Sequence, residues 1–178
     1  MSKAEGAGSV QLLSTSTKII YGKTRANMVE TNSDTSCIEL AASRFSEGFS
    51  CSQSVLAAFA PELGLDADAA LRVSAAFGGG MGRLGHTCGA VTGALMVLGL
   101  RYGATVADPA AKDLTYAKAR DFVAKFEARH GATDCAELLG VNIGTPEGQA
   151  AAGEANLFKT TCPDLVASAA AILEEMGV

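Results

Sequence analysis

From residue 34 onward, apolar residues recur at spacings of three and four, and no segment alternates apolar with polar over a strand's length. Ile38, Ala41, Ala42 and Phe45 share one face of a helix predicted over residues 34–47, capped by Asp34 or Thr35 and stopped by Gly48. Ser50 and Gln53 have the Ser-x-x-Gln form of a capping box, opening a helix through Val55, Leu56 and Phe59 that Pro61 and Gly64 end. Asp66 is placed to cap a third helix through Leu71, Val73 and Phe77. Residues 78–85, GGGMGRLG, are too glycine-rich for a helix and read as a loop. Residues 89–102 are apolar on most sides and predict a central helix.

Further on, Tyr116, Ala119, Phe122, Val123 and Phe126 form the clearest amphipathic stripe, over residues 114–130, with Pro109 in the linker before it. Thr133 or Asp134 caps a short helix ending at Gly140, residues 144–153 read as loop, and a weak helix reaches Lys159. Cys162-Pro163 opens the last helix, with Pro at the first helical position where its missing N–H costs nothing. The expectation is an all-α, single-domain bundle of about six to seven helices with a glycine-rich loop, over residues 33–178. Residues 1–32 differ: Ser, Thr, Gly and Lys dominate, Leu12-Leu13 and Ile19-Ile20 lack helical spacing, and the stretch reads as a disordered tail. A second reading takes Met28 as an alternative start.

Composition narrows the function. The 178 residues are 48% hydrophobic with 20 glycines and no Trp, which suits closely approaching helices around one core. Net charge is −5 and the basic residues are scattered, so nucleic acid is not an expected partner. The most apolar stretch, residues 90–100, is about half the roughly 20 residues of a membrane span, so no membrane association is expected. With no export signal and an odd number of cysteines, five, the thiols are expected to be reduced in the cytoplasm.

Four of those cysteines carry the candidate chemistry. Cys51, Cys88, Cys135 and Cys162 each fall in the first turn of a predicted helix, where unpaired N–H groups stabilise an anion and lower a thiol's pKa. Thiolate is the form that ligates metals and attacks disulfides. Their separations of 37, 47 and 27 residues include no C-x-x-C, so a shared site must be assembled by the fold. Absence of C-x-x-C-H excludes covalent c-type haem. Residues 80–85 fit G-x-G-x-x-G formally, but a helix precedes them where the dinucleotide fingerprint needs a strand. The glycines Gly79, Gly80, Gly82 and Gly89, with Arg83, read instead as a turn that brings Cys88 to another element and offers N–H groups and a cation to an anionic cluster. His86 is a candidate ligand beside Cys88. His130 reads as a helix-end residue interacting favourably with the dipole, and Cys37 as structural or incidental. No hydrolase set of residues is present.

The segments Phe49-Ser50-Cys51-Ser52-Gln53-Ser54-Val55, Phe77-Gly78-Gly79-Gly80-Met81-Gly82-Arg83 and Thr87-Cys88-Gly89-Ala90-Val91-Thr92-Gly93-Ala94 resemble the C_GCAxxG_C_C family. Asp134-Cys135-Ala136-Glu137-Leu138-Leu139-Gly140 and Cys162-Pro163-Asp164-Leu165-Val166 resemble its third and fourth cysteine segments. One departure is visible: the family name places Gly directly before the second Cys, whereas here Thr87 precedes Cys88 and Gly89 follows. The resemblance covers residues 36–177 and implies a helical fold with a cysteine-based redox or metal role. Some relatives are associated with split-Soret cytochromes, which carry haem and iron–sulfur centres; this chain lacks the haem motif.

The leading expectation is a redox protein in which Cys51, Cys88, Cys135 and Cys162 hold an iron–sulfur cluster or another thiolate-bound metal for electron transfer. Two alternatives stand beside it: thiol–disulfide chemistry without metal, and a helical binding module with structural thiols. The expected partners are a redox partner that the sequence does not name and, since Ala- and Gly-rich helices offer flat contact faces, a second copy of the chain as a homodimer.

Overall fold

A computed structural model describes residues 35–178. The expected tail at residues 1–32 and the cap at Asp34 lie outside them. Among the described residues the architecture is all-helical, in the order α1 (Cys37–Ser46), α2 (Cys51–Phe59), α3 (Ala67–Ser74), a 3-10 turn (Ala75–Phe77), α4 (Gly78–Met81), α5 (Gly89–Tyr102), α6 (Pro109–His130), α7 (Cys135–Leu139), α8 (Pro146–Glu154), α9 (Leu157–Thr160) and α10 (Cys162–Glu175).

The core is built where α2, α5, α6 and α10 meet. Val55 and Leu56 of α2, Val91 and Val97 of α5, Phe122 and Phe126 of α6, and Ile172 and Leu173 of α10 are fully buried. Burying each such side chain contributes about 1.5–3 kcal/mol. Small residues set the spacing between α5 and α2. A Cβ on Gly93 would lie 2.8 Å from the Ser52 carbonyl oxygen, and one on Gly89 would lie 3.0 Å from the Ser52 nitrogen. These two glycines, one turn apart, let the central helix rest directly on the backbone at the start of α2.

Several local expectations change. The first cap is Ser36, whose hydroxyl accepts from the Glu39 N–H while Glu39 returns the bond, a full capping box. Ala42 of that helix is exposed, because only Ala41 and its neighbours face α2 and α10. Val73 is exposed as well. Pro109 is not in a linker: Asp108 accepts from the N–H groups of Ala110 and Ala111, and Pro109 takes the first helical position of a longer α6. Tyr116 then falls on the exposed half of that helix. Residues 144–153 contain α8, because Thr145 caps the N–H of Gly148 and Pro146 starts the turn. Cap chemistry there overrides the poor helical propensity of Gly148 and Gly153.

The glycine segment differs most. Gly79, Gly80, Met81, Gly82 and Arg83 have φ of +63°, +67°, +61°, +66° and +66°, so residues 79–83 wind one left-handed turn and α4 is not a regular right-handed helix. Glycine adopts this freely; Met81 and Arg83 each cost roughly 1–2 kcal/mol. The turn is closed by N–H donation from Arg83 to Gly78, from Gly85 to Gly79 and from His86 to Gly80, at 3.3, 3.3 and 3.1 Å.

Candidate functional site

Each candidate cysteine stands at a helix start. Cys51 is the first residue of α2, whose capping box ties Ser50 to Gln53. That start is anchored further: Gln53 donates to the Leu71 carbonyl at 2.9 Å and Ser52 to the Ser74 carbonyl at 2.8 Å. Cys88 is the N-cap of α5 and Cys135 the first residue of α7. An antiparallel bridge between Thr87 and Asp134 holds these two side by side. Cys88 donates its N–H to the Thr133 carbonyl at 2.8 Å, and Cys135 to the His86 carbonyl at 2.8 Å. Cys162 opens α10.

The four thiols converge in the interior: Cys51, Cys88, Cys135 and Cys162 are 9%, 1%, 5% and 6% exposed. Their thiols neighbour one another in a row, with Cys162 beside Cys51, Cys51 beside Cys88, and Cys88 beside Cys135. Gly89 permits the middle contact, since a Cβ there would lie 3.1 Å from that of Cys51.

The helix starts do not lower all four thiols. Cys88 is held well below the usual thiol range because Cys135 and Cys51 donate to its sulfur and the N–H groups of Ala90 and Val91 add to them, outweighing burial. Cys162 is lowered by donation from Cys51. Cys51 is pushed up because its single proton serves Cys162 and Cys88, with burial adding to this. Cys135 is pushed up by its bond to Cys88 and then by burial. At each of the four, a neighbouring sulfur is the largest cause of the shift.

The other candidates separate. Gly79, Gly82 and Arg83 line a cavity with Cys51 and Cys162. Gly80 does not; it packs on the backbone of His86, where a Cβ would lie 2.5 Å from the carbonyl oxygen and 2.7 Å from the nitrogen. The side chain of His86 is exposed, and its contribution is the carbonyl that receives Cys135. His130 lies in the last turn of α6; burial and the adjacent Arg129 lower its pKa, and its Nε2 pairs with the Ser168 hydroxyl at 2.7 Å. Sequence reasoning missed Ser52 and Gln53 as anchors of Cys51, and Phe45, Ile143, Gln149 and Phe158 of the cavity wall. The capping box pointed to Gln53 and the glycine loop to Gly79, Gly82 and Arg83; nothing in the sequence pointed to Phe45, Ile143, Gln149 or Phe158.

Four soft sulfur donors suit a thiophilic metal centre. Among the described residues, however, no three His, Cys, Asp or Glu side chains gather as ready ligands of one ion.

Fold and site together define a small all-helical protein with a buried four-cysteine centre. The family model described as "Putative redox-active protein (C_GCAxxG_C_C)" matches residues 49–176. The chain belongs to that family, and all four clustered cysteines fall inside the match. No curated protein matches the chain, and no solved structure does. No helix among the described residues is long and apolar enough to cross a membrane.

Proposed function

We propose that Cys51, Cys88, Cys135 and Cys162 form one redox centre that holds an iron–sulfur cluster and serves electron transfer. One observation carries the reading: four cysteines from four separate helix starts, far apart in sequence, meet in the core. A dithiol needs two cysteines and a structural thiol needs no sulfur neighbour, whereas clusters of two or four irons take four thiolates. When bound, such a group supplies a one-electron couple. The chain's own part is to present four sulfurs on rigid helix starts, to exclude water from Cys88, and to place backbone N–H groups such as those of Ala90 and Val91 toward sulfur, where they favour negative charge.

A second reading is thiol–disulfide chemistry without metal, favoured by the pairwise contacts and by the absence of a ready three-ligand group among the described residues. In it the lowered Cys162 is the attacking thiolate and Cys51 its resolving neighbour.

Anaerobic purification followed by iron and acid-labile sulfide analysis separates the two. Iron and sulfide together, both lost in Cys88→Ser, support the cluster. Another metal without sulfide keeps the thiolate centre but replaces the cluster. No metal, with thiols consumed in pairs on mild oxidation, supports the second reading. Cys88→Ser also tests the case of inert buried thiols. There it lowers stability by about 1–3 kcal/mol, through an unpaired buried hydroxyl, and neither protein carries metal.

A further inference from the structure

Two of the four cysteines line a cavity and two do not. A cavity of about 680 Å³ has Cys51 and Cys162 in its wall, but neither Cys88 nor Cys135. That volume lies within the roughly 300–1,000 Å³ of small-molecule sites. Beside glycine backbone and the neutral polar Ser50, Gln53 and Gln149, the remaining wall has two features. Phe45, Phe158 and Ile143 give it apolar surface, including two aromatic rings. Arg83 gives it a cation, and no carboxylate lines it. Arg83 joins no ion pair among the described residues.

Arg83 also sits where arginine is disfavoured. Its φ of +66° closes the left-handed turn, a conformation in which glycine would be cheaper by roughly 1–2 kcal/mol. Strained backbone of this kind collects at ligand sites. A guanidinium free of ion pairs, on a cavity without carboxylates, recognises an oxyanion by paired N–H bonds.

We infer that this cavity binds a small organic anion, an oxyanion group on a flat apolar body. The oxyanion pairs with Arg83, the body lies against Phe45 and Phe158, and the molecule abuts the Cys51/Cys162 end of the sulfur row. This extends the redox centre proposed above by giving it a small-molecule face, and it holds whether the thiols carry a cluster or remain free.

The test uses two fluorescent probes sharing one ring system, 1-anilinonaphthalene-8-sulfonate and the uncharged N-phenyl-1-naphthylamine, titrated into the whole protein. Both are expected to bind the wild type. Arg83→Gln is expected to weaken the sulfonate about tenfold and the neutral probe less than twofold, the loss of one charge-assisted contact. Phe158→Ala is expected to weaken both. Arg83→Gly relaxes the backbone strain, so weaker sulfonate binding in that variant cannot be ascribed to unfolding. Tyr116→Ala, in a separate surface hollow with Val106 and Pro109, is expected to change neither. The inference is overturned if the wild type binds neither probe, if the Arg83 variants treat the two probes alike, or if Tyr116→Ala abolishes binding. Probe fluorescence requires no metal, so its failure leaves the redox centre standing, and absence of metal leaves the cavity result standing.

Discussion

The first two helices begin almost identically and end up chemically opposite. Ser36-Cys37 opens α1 and Ser50-Cys51 opens α2; both serines close full capping boxes, with Glu39 and Gln53, and both cysteines are the first helical residue. Yet Cys37 is half-buried and meets no other sulfur, its thiol directed to the Ala58 carbonyl at 3.6 Å. Burial, then Glu62 and Glu174, push it up to about 11. Cys51 lies in a row of four sulfurs and shares its proton with two of them. A helix N-terminus lends about half a charge to whatever sits there, but the groups around the sulfur decide its chemistry. What separates the two starts is the neighbour: α5 comes down on α2 through Gly89 and Gly93, whereas α1 packs on α2 and α10 without bringing a second cysteine.

The sharpest way to break this comparison is to mutate the two cysteines in parallel. Cys51→Ser is expected to abolish retention of metal and sulfide, while Cys37→Ser leaves both at the wild-type level, read by anaerobic metal analysis. Equal loss from both would mean that the helix start, and not the sulfur row, is the working unit.

The next effect is large but graded. Gly89→Val places atoms where a Cβ already meets the Ser52 nitrogen at 3.0 Å, the Cys51 Cβ at 3.1 Å and the Phe77 carbonyl at 3.2 Å. Overpacking of this kind costs about 1–3 kcal/mol and should separate Cys51 from Cys88, so retained metal falls with the urea midpoint. Gly99→Ala, on the same helix but with nothing within 4 Å, is expected to be neutral or to stabilise by about 0.5–1 kcal/mol. If Gly89→Val folds as stably as wild type, the close approach of α5 to α2 does not set the site.

Caps come third. Ser36→Ala and Ser50→Ala should each destabilise by about 0.5–2 kcal/mol. Ser50 is expected to be the costlier, because its hydroxyl also meets that of Ser52 at 3.2 Å and its partner Gln53 bonds Leu71. Denaturant titration of both variants checks the order; a larger loss at Ser36 would contradict the tighter anchoring of α2.

Much of this was legible locally. The Ser50 box, the Asp66 cap, the span of α5 and the Gly140 stop follow from residue chemistry within one turn. What the sequence hid is non-local or counter-propensity. A left-handed turn through Met81 and Arg83 violates the ordinary preference of both residues, so only its glycines hinted at it. Exposure of Val73 and Tyr116 depends on which side of a helix finds a neighbour. At the site, candidate cysteines could be named from their positions, but the pattern of raised and lowered thiols arises from neighbouring sulfurs 37 to 111 residues apart in the chain.

The smallest expected effect belongs to Cys37 and concerns alkaline stability. Its folded pKa of about 11 lies above the ordinary 9.0, so the folded chain holds that proton more tightly than the unfolded chain does. The proton-bound thiol therefore contributes stability that is complete below about pH 9 and is lost as pH rises through about 11. Its bond to the Ala58 carbonyl is lost on the same titration, since only the protonated sulfur can donate. The group is partly solvated, so the Glu62 and Glu174 charges acting on it are screened and the total is modest. Cys37→Ser keeps a donor for Ala58 but cannot ionise in this range. Urea midpoints of the two proteins should accordingly run parallel from neutral pH to about pH 8.5 and then diverge, wild type falling faster up to about pH 11. Because both proteins retain the same four clustered thiols, their titration cancels in the difference. Curves that stay parallel to the alkaline limit would show that burial and the two glutamates do not hold the Cys37 proton, and the contrast between the two helix starts would then rest on the sulfur row alone.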